Sequence, residues 1–206
     1  PQEVGIDVSV FTSDGIERVM RYAFELALTR PKKQLTLVTK SNAQRHGMVL
    51  WDEVFEKLKH DYPGITTDRM LVDAITTRMV LQPQSLDTIV ATNLHADILS
   101  DLAAALSGSL GIGPTANINP ERTFPSMFEP IHGSAFDLVG KDLANPLGAF
   151  WSCVMMLEHL QEKKGASLLM SAIEEVCQEG RHLPKDLGGN SCTGEVTTAV
   201  CAALKK

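Results

Sequence analysis

Short β-branched runs alternate with amphipathic helical patterns through the first hundred residues, and this alternation restricts the fold more than any other feature. It is typical of a layered α/β domain, in which helices cover a mainly parallel sheet. The last run, residues 87–92, is short and apolar, as expected for a strand inside such a sheet. The predicted strands are residues 4–11, 35–39, 65–72 and 87–92, and the predicted helices are about 13–30, 48–60, 73–81 and 93–107.

The second half of the chain does not continue this alternation. Glycine and proline recur between residues 108 and 130, and a compact domain usually keeps so long an irregular stretch for function. Three helical patterns follow, at about residues 146–161, 166–179 and 193–204. We therefore predict two domains, residues 1–100 and residues 101–206.

The composition excludes several classes of protein. Of 206 residues, 44% are hydrophobic and 21% are charged, as in globular rather than disordered or fibrous chains. The formal net charge is −6 and lysine and arginine form no cluster, which argues against nucleic acid or an anionic membrane as a partner. No apolar run reaches membrane-spanning length. The four cysteines lack C-x-x-C spacing, so we expect reduced thiols, no zinc site and a cytoplasmic location.

Two carboxylates, Asp97 and Asp101, stand four residues apart directly after the predicted strand 87–92. Residues at this spacing share a helix face, and ligands of open α/β sheets bind beyond the carboxyl ends of the strands. No lysine or arginine lies between Asn93 and Ser107 to neutralise the two acids. The pair indicates either a divalent cation site or a solvated acidic helix face.

Two further charged residues follow the two preceding strands. Lys40 comes after the strand 35–39, and Asp73 comes after the strand 65–72. The carboxyl ends of parallel strands meet at one edge, so we expect one lysine and three acids there, a donor set that suits Mg²⁺ or Mn²⁺. A lysine beside a metal-bound hydroxyl group can relay a proton. Taken singly, Lys40 is also explained as a surface lysine, and Asp73 as a helix N-terminal acid.

A second group of candidate residues occupies the irregular stretch. Gly133, Ser134 and Ala135 are small enough for backbone amides to approach a phosphate closely. The carboxylate of Asp137 can accept from both ribose hydroxyls, which favours a dinucleotide without a 2′-phosphate. Asn145 before Pro146 also predicts a helix start, with asparagine as N-cap and proline at the first helical position. No G-x-G-x-x-G motif supports a conventional Rossmann site.

Together these motifs resemble the β-decarboxylating dehydrogenases, the family of isocitrate and isopropylmalate dehydrogenases. The segment NLHADILSDL resembles the family's acidic metal segment, and EPIHGSAFD with GKDLANP resembles its NAD loop. The stretches VTKSNAQRHGMVLWDEVF and TANINPERTFPSMFEPIHGSA are most similar to the tartrate/D-malate dehydrogenase branch. The resemblance covers essentially the whole chain and implies an α/β fold of the isocitrate/isopropylmalate dehydrogenase type that lacks its N-terminal segment.

The resemblance implies NAD-dependent oxidation and decarboxylation of tartrate or D-malate with Mg²⁺ or Mn²⁺. It makes residues 1–100 a partial substrate, metal and dimerisation domain, and residues 101–206 the C-terminal part of the NAD-binding domain. Lys40 and Asp73 become catalytic residues, and Asn42 faces the nicotinamide end. It also implies a homodimer in which Lys40 and Asp73 complete the partner's site. The implied metal ligands are Asp73, Asp97 and Asp101, and the implied NAD residues besides Asn42 are Glu129, His132, Gly133, Ser134, Ala135, Asp137 and Asn145.

Three departures from the family pattern leave an alternative open. His95-Ala96 stands where the family usually has Phe-Gly, and Phe136 replaces the usual proline of the NAD loop. The chain also starts after the family segment that carries the substrate-binding arginines and a catalytic tyrosine. We therefore expect the chain alone to be an inactive dimer. The alternative is a truncated or regulatory, non-catalytic half-chain that dimerises without turnover.

Overall fold

The computed structural model describes residues 2–205, which fall into two compact units, residues 1–100 and residues 101–206. The division lies within one helix, Asn93–Leu106. The α-helices are α1 (Ser13–Thr29), α2 (Gly47–Leu58), α3 (Val72–Leu81), α4 (Asn93–Leu106), α5 (Leu147–His159), α6 (Lys163–Glu179) and α7 (Thr193–Ala203). The strands are β1 (Gln34–Thr39), β2 (Thr66–Leu71), β3 (Thr88–Val90), β4 (Pro114–Asn117) and β5 (Met127–Pro130).

The first unit contains a parallel three-stranded sheet in the order β2-β1-β3. The central strand β1 is buried along five of its six residues, because it pairs on both edges and is covered by helices. The pairing of β1 with β2 runs from Gln34 opposite Thr66 to Thr39 opposite Leu71, so both strands end at the same edge. This arrangement confirms the predicted α/β class.

Helices α1 and α2 supply most of the core of the first unit. The ring of Phe24 is fully buried and stacks on Phe55 and Tyr62, with centroid distances of 5.4 and 4.6 Å. Thr12 caps α1, because its hydroxyl accepts a hydrogen bond from the Gly15 amide. The helix ends at Thr29, close to the predicted end, since Pro31 cannot continue it.

The prediction of a strand at residues 4–11 is wrong. No strand is assigned there, and the alternating side chains of Val4, Ile6, Val8 and Val10 are each at least 74% exposed. Alternation favours an extended backbone, but a strand also needs a neighbour to complete its hydrogen bonds, and none of the described strands pairs with this segment. Only Phe11 is anchored, by edge-to-face packing on Trp51.

The second unit contains an element that the sequence pattern did not reveal. Strands β4 and β5 form an antiparallel pair within the stretch predicted to be irregular, with Pro114 opposite Pro130 and Asn117 opposite Met127. Both strands have only four residues and both contain proline, so they carry too little periodicity to be recognised.

Three helices build the core of the second unit. The buried positions of α5, α6 and α7 pack aliphatic side chains such as Leu147, Ile173 and Val196 together. Helix α5 begins one residue later than predicted: Pro146 is the N-cap, and the Asn145 side chain accepts from the Leu147 amide at 2.9 Å. In the part of the chain that the structure describes, no helix is both long and apolar enough to cross a bilayer.

Candidate active site and cofactor cleft

Lys40 and Asp73 form an ion pair at the carboxyl edge of the parallel sheet. Lys40 directly follows β1, and Asp73 lies in the first turn of α3, directly after β2. The contact follows from the strand register, because Thr39 and Leu71 are paired at the ends of the two strands. The structure thus brings together two of the predicted site residues that are 33 positions apart in sequence.

The ion pair affects the titration of the acid. The hydrogen bond from Lys40, helped by the Asp73 backbone amide, lowers the pKa of Asp73 below its ordinary value. The Asp73 side chain is 63% exposed and that of Lys40 is 28% exposed, so the pair is open to water on the acid's side. An exposed ion pair adds little to the stability of the fold. Both groups can therefore exchange this contact for one with a ligand at little cost.

Asn42 lies in the turn that follows β1. The amides of Ala43 and Gln44 both donate to the Lys40 carbonyl oxygen at 2.9 Å, which closes the turn around it. The Asn42 side chain is exposed. The predicted nicotinamide-facing residue therefore shares a tight turn with the predicted catalytic lysine.

Asp97 and Asp101 are both exposed on α4. Neither forms an ion pair with another described residue, and the described residues contain no group of three acids, histidines or cysteines that could hold a metal. Asp73, Asp97 and Asp101 therefore do not assemble into one centre within the described chain. Their chemistry still fits a hard divalent cation, since all three donors are carboxylates and none of their side chains is buried.

His95, one of the departures from the family pattern, is a buried neighbour of this region. Its Nδ1 atom is buried and has no hydrogen-bond partner among the described residues. Burial, and secondarily the charge of Lys40, lower the pKa of His95, which favours the neutral imidazole. Ala96, beside it, is exposed.

An open cleft of about 590 Å³ lies in the second unit, within the size range of small-molecule sites. Five of the residues predicted to bind NAD line it: Glu129, His132, Gly133, Ser134 and Ala135. The sequence analysis did not single out the other lining residues, which are Pro130, Leu138, Val139, Gly140, Asp142, Leu143, Ala144 and Thr193. Most of these lie within the quoted NAD-loop motifs, whereas Thr193 is distant in sequence and no local signal points to it.

The N-terminus of α7 forms part of the cleft wall. The Thr193 amide and hydroxyl donate to the carbonyls of Asp142 and Ala144 at 2.9 and 2.6 Å, and the Gly194 amide donates to the Asp142 carboxylate at 3.2 Å. The Cys192 thiol also donates to that carboxylate, which raises the pKa of the thiol. The loop and the helix are thus joined before any ligand binds.

Besides Asn42, which lies in the first unit, two predicted cofactor residues do not line the cleft. Asp137 lies exposed in a short 3-10 helix, Phe136–Leu138, beside the cleft lining. Asn145 uses its side chain internally: its carbonyl oxygen accepts from the Leu147 amide, and its amide donates to Asp186 at 2.9 Å. The hydroxyl of Ser109 donates to the same Asp186 oxygen. Both polar groups of the Asn145 side chain are therefore engaged within the protein, although Asn145 is not the predicted N-cap.

The cleft suits the adenosine half of a dinucleotide by its volume and by the small residues along one wall. Gly133 has open space on its Cβ side, so backbone there is accessible to a ligand. His132 Nδ1 lies 3.1 Å from the Gly133 carbonyl oxygen, which can accept its proton. These features fit NAD, and the residues between Glu129 and Ala135 would hold it.

Known proteins share this fold and these motifs. The sequence profile described as isocitrate/isopropylmalate dehydrogenase matches residues 1–202. The match extends over both units of the chain. The chain belongs to the isocitrate/isopropylmalate dehydrogenase family.

Individual relatives refine the comparison. The chain is 64% identical over 204 residues to a probable tartrate dehydrogenase/decarboxylase of Agrobacterium vitis, covering 99% of this chain and 57% of the relative. It is 48% identical to the decarboxylating D-malate dehydrogenase of Escherichia coli, covering 98% and 57%. The crystal structure of isocitrate dehydrogenase from Methylococcus capsulatus superposes with a TM-score of 0.92 at 39% identity, covering 97% and 58%. The chain therefore spans a little over half the length of these relatives, and it has the predicted fold.

Proposed function

We propose that the chain serves the NAD-dependent oxidation and decarboxylation of a small 2-hydroxy dicarboxylic acid, tartrate or D-malate, in the presence of Mg²⁺ or Mn²⁺. One observation carries the proposal: the ends of β1 and β2 bring Lys40 and Asp73 into contact. The relatives named tartrate dehydrogenase/decarboxylase and D-malate dehydrogenase support the choice of substrate. A cytoplasmic location remains a prediction from the sequence.

The side chain of Lys40 moves the proton of the substrate's C2 hydroxyl group. Its amine is half-buried and its contact with Asp73 keeps it at the sheet edge, where substrate oxygens can replace water. The carboxylates of Asp73, Asp97 and Asp101 would hold the cation, which supplies Lewis-acid stabilisation of developing negative charge when bound. Charge on all three acids is what such a site requires.

Residues of the second unit bind and orient the cofactor. The cleft between residues 129 and 144 would hold the adenosine half of NAD, whose nicotinamide supplies the hydride acceptor. Exposed Asp137 repels a 2′-phosphate and accepts from ribose hydroxyls. We expect Asp137→Lys to reduce the preference for NAD over NADP. Equal discrimination by the variant and the wild type would remove Asp137 as the selector.

A homodimer with shared sites is the assembly we propose. Two facts support it: the three acids do not assemble within the described chain, and α4 leaves Leu94, Ile98 and Leu106 exposed while Leu99 is buried. Exposed apolar side chains in a row favour a protein partner. Sedimentation of the purified chain should give a dimer, and Ile98→Asp should weaken it. A wild-type monomer would contradict the assembly.

Turnover is the direct test of the proposed reaction. NADH production from D-malate and from tartrate should be measured with Mn²⁺ for the wild type and for Lys40→Met, each supplied with the part of a relative that the chain does not span. Loss of the proton-transferring group should reduce kcat by about 10²–10⁴-fold. Lys57→Met, on the exposed side of α2, is the matched control and should keep the wild-type rate. A Lys40→Met variant with the wild-type rate would contradict the role of Lys40.

The non-catalytic alternative gives a different result in the same experiment. NAD binding by calorimetry and dimer formation without any NADH production would favour a regulatory or incomplete chain. NADH production by the purified 206-residue chain would rule that alternative out. The two functions are thus separated by comparing binding with turnover.

A further inference from the structure

Asp52 is a buried acid that the proposed reaction does not use. It lies in α2, whose other buried residues are the apolar Met48, Trp51, Phe55 and Leu58. The Asp52 side chain is only 11% exposed. Its Oδ1 atom is buried and has no hydrogen-bond partner among the residues that the structure describes.

The other carboxylate oxygen of Asp52 joins three elements. Oδ2 accepts from the Ser41 hydroxyl at 2.7 Å and from the Arg69 guanidinium at 3.0 Å. Arg69 lies in β2, and Ser41 lies in the turn after β1, between Lys40 and Asn42. One oxygen atom therefore connects helix α2, strand β2 and the turn that carries two predicted site residues.

Stability alone does not account for an acid at this position. A buried charge is costly to desolvate, and a well-packed apolar side chain in place of a buried ion pair is often neutral or stabilising. The unpartnered Oδ1 adds to that cost. What a carboxylate provides and an apolar side chain does not is a directional contact to Ser41.

The turn has few other fixed contacts. Within it, the Ser41 amide donates to the Thr39 hydroxyl at 3.3 Å, and the amides of Ala43 and Gln44 donate to Lys40. These bonds close the turn locally but do not attach it to a neighbouring element. Three contacts reach a neighbouring element: the Lys40–Asp73 ion pair, the Met48 amide that donates to the Gln44 carbonyl at 3.2 Å, and the bond from Ser41 to Asp52. The bond to Asp52 is the one that attaches the interior of the turn, at the residue between Lys40 and Asn42.

We infer that Asp52 is a positioning residue that acts through Ser41 to hold the turn of residues 40–44, and hence Lys40 and Asn42, at the edge of the sheet. Asp52 itself contacts neither substrate nor cofactor. Arg69 balances its charge and fixes the carboxylate relative to β2. The inference rests on the proposed roles of Lys40 and Asn42, but the geometry of the turn can be tested without turnover.

The test uses Ser41→Ala, because this variant removes the contact to the turn and leaves the Asp52–Arg69 ion pair in place. Amide hydrogen exchange should rise by about tenfold or more at Ala43 and Gln44, since a hydrogen bond to a charged acceptor has at least that effect on a local opening equilibrium. Exchange in β1 should not change. Ser41→Thr keeps a hydroxyl and should restore the slow exchange.

Ile65→Val is the matched control, because Ile65 is buried in the same unit and precedes Thr66, at the end of the β1–β2 pair opposite to the turn. This variant should raise amide exchange across the core of the first unit, with no selective increase at residues 43 and 44. The inference is wrong if Ser41→Ala leaves those amides unchanged, or if the whole first unit exchanges faster as in the control.

A kinetic measurement separates this inference from the proposed function. Ser41→Ala should lower kcat by about tenfold with little change in the KM for NAD, and Ser41→Thr should restore it. If the exchange result is obtained but the wild type shows no turnover even when supplied with the part of a relative that it does not span, the proposed function fails and the role of Asp52 in holding the turn stands. A fall in kcat without any change in exchange would overturn the positioning role.

Discussion

The two units of the molecule hold their candidate site residues in different ways. In the first unit, Lys40 and Asp73 follow the ends of parallel strands and contact each other as ionised groups, and Arg69 within β2 contacts Asp52 of α2. In the second unit, the cleft is lined by loop residues, and hydrogen bonds to backbone groups hold the loop against α7.

The difference suggests a division of chemistry between the two units. A strand end fixes the position of a side chain well, which suits the proton transfer proposed for Lys40. A loop with small residues exposes backbone amides, which suits recognition of phosphate and sugar groups. Substitutions that change charge should therefore matter most in the first unit, and those that release the loop should matter most in the second.

The largest expected effect concerns the two cores. Phe24→Ala should destabilise the first unit by about 3–5 kcal/mol, because the ring is fully buried and stacks on two others. Val196→Ala should cost the second unit about 1.6 kcal/mol, from the loss of two methylene equivalents at about 0.8 each. Hydrogen exchange resolved by residue measures each unit separately. Equal losses of stability from the two substitutions would contradict the expectation that the aromatic core depends more on one side chain than the aliphatic core does.

The next effect concerns charge in the first unit. Asp97→Asn should weaken Mn²⁺ binding at least about tenfold, equivalent to about 1.4 kcal/mol, because a carboxylate ligand loses its charge. Calorimetric titration of the assembled protein gives the affinity. Asp14→Asn, an exposed acid in the first turn of α1, removes the same charge and should leave Mn²⁺ binding unchanged. Identical affinities for Asp97→Asn and the wild type would exclude Asp97 as a ligand.

A smaller effect is expected when Asp186 no longer holds Ser109 and Asn145. Asp186→Ala removes the acceptor of hydrogen bonds from Ser109 and Asn145, which should cost about 1 kcal/mol and weaken NAD binding. Urea unfolding and NAD titration measure the two effects. Glu174→Ala, an exposed acid on α6, is the control with the same change of charge. A variant with unchanged stability would show that Asp186 does not tie these segments together.

The smallest effect concerns the thiol at the start of α7. Because the Asp142 carboxylate raises the pKa of Cys192, less thiolate is present near neutral pH, and alkylation should be severalfold slower than at exposed Cys201. Asp142→Asn removes the charge and should accelerate the reaction at Cys192. Mass spectrometry of partly alkylated protein gives both rates. Equal rates at the two cysteines would indicate that the contact is not maintained in solution.

Local sequence patterns were sufficient for most helices and for the three paired strands of the first unit. The periodicity of residues 13–30, with Pro31 after it, predicts α1 to within one residue. The placement of Lys40 and Asp73 after consecutive strands correctly predicts that they lie at one edge, because parallel strands share a direction. The motif around Gly133 likewise predicts residues that line the cleft.

The sequence by itself determined the α/β class, the family and which residues of each motif are candidates for chemistry. Only the tertiary structure decided that residues 4–11 remain unpaired, that Thr193 completes the cleft, that Asn145 is held by Asp186 and that Asp52 reaches Ser41. The physical reason is the range of the interactions. Periodicity, capping and strand direction act between near neighbours, whereas strand pairing, buried hydrogen bonds and cleft walls join residues far apart in the chain, whose proximity no local pattern encodes.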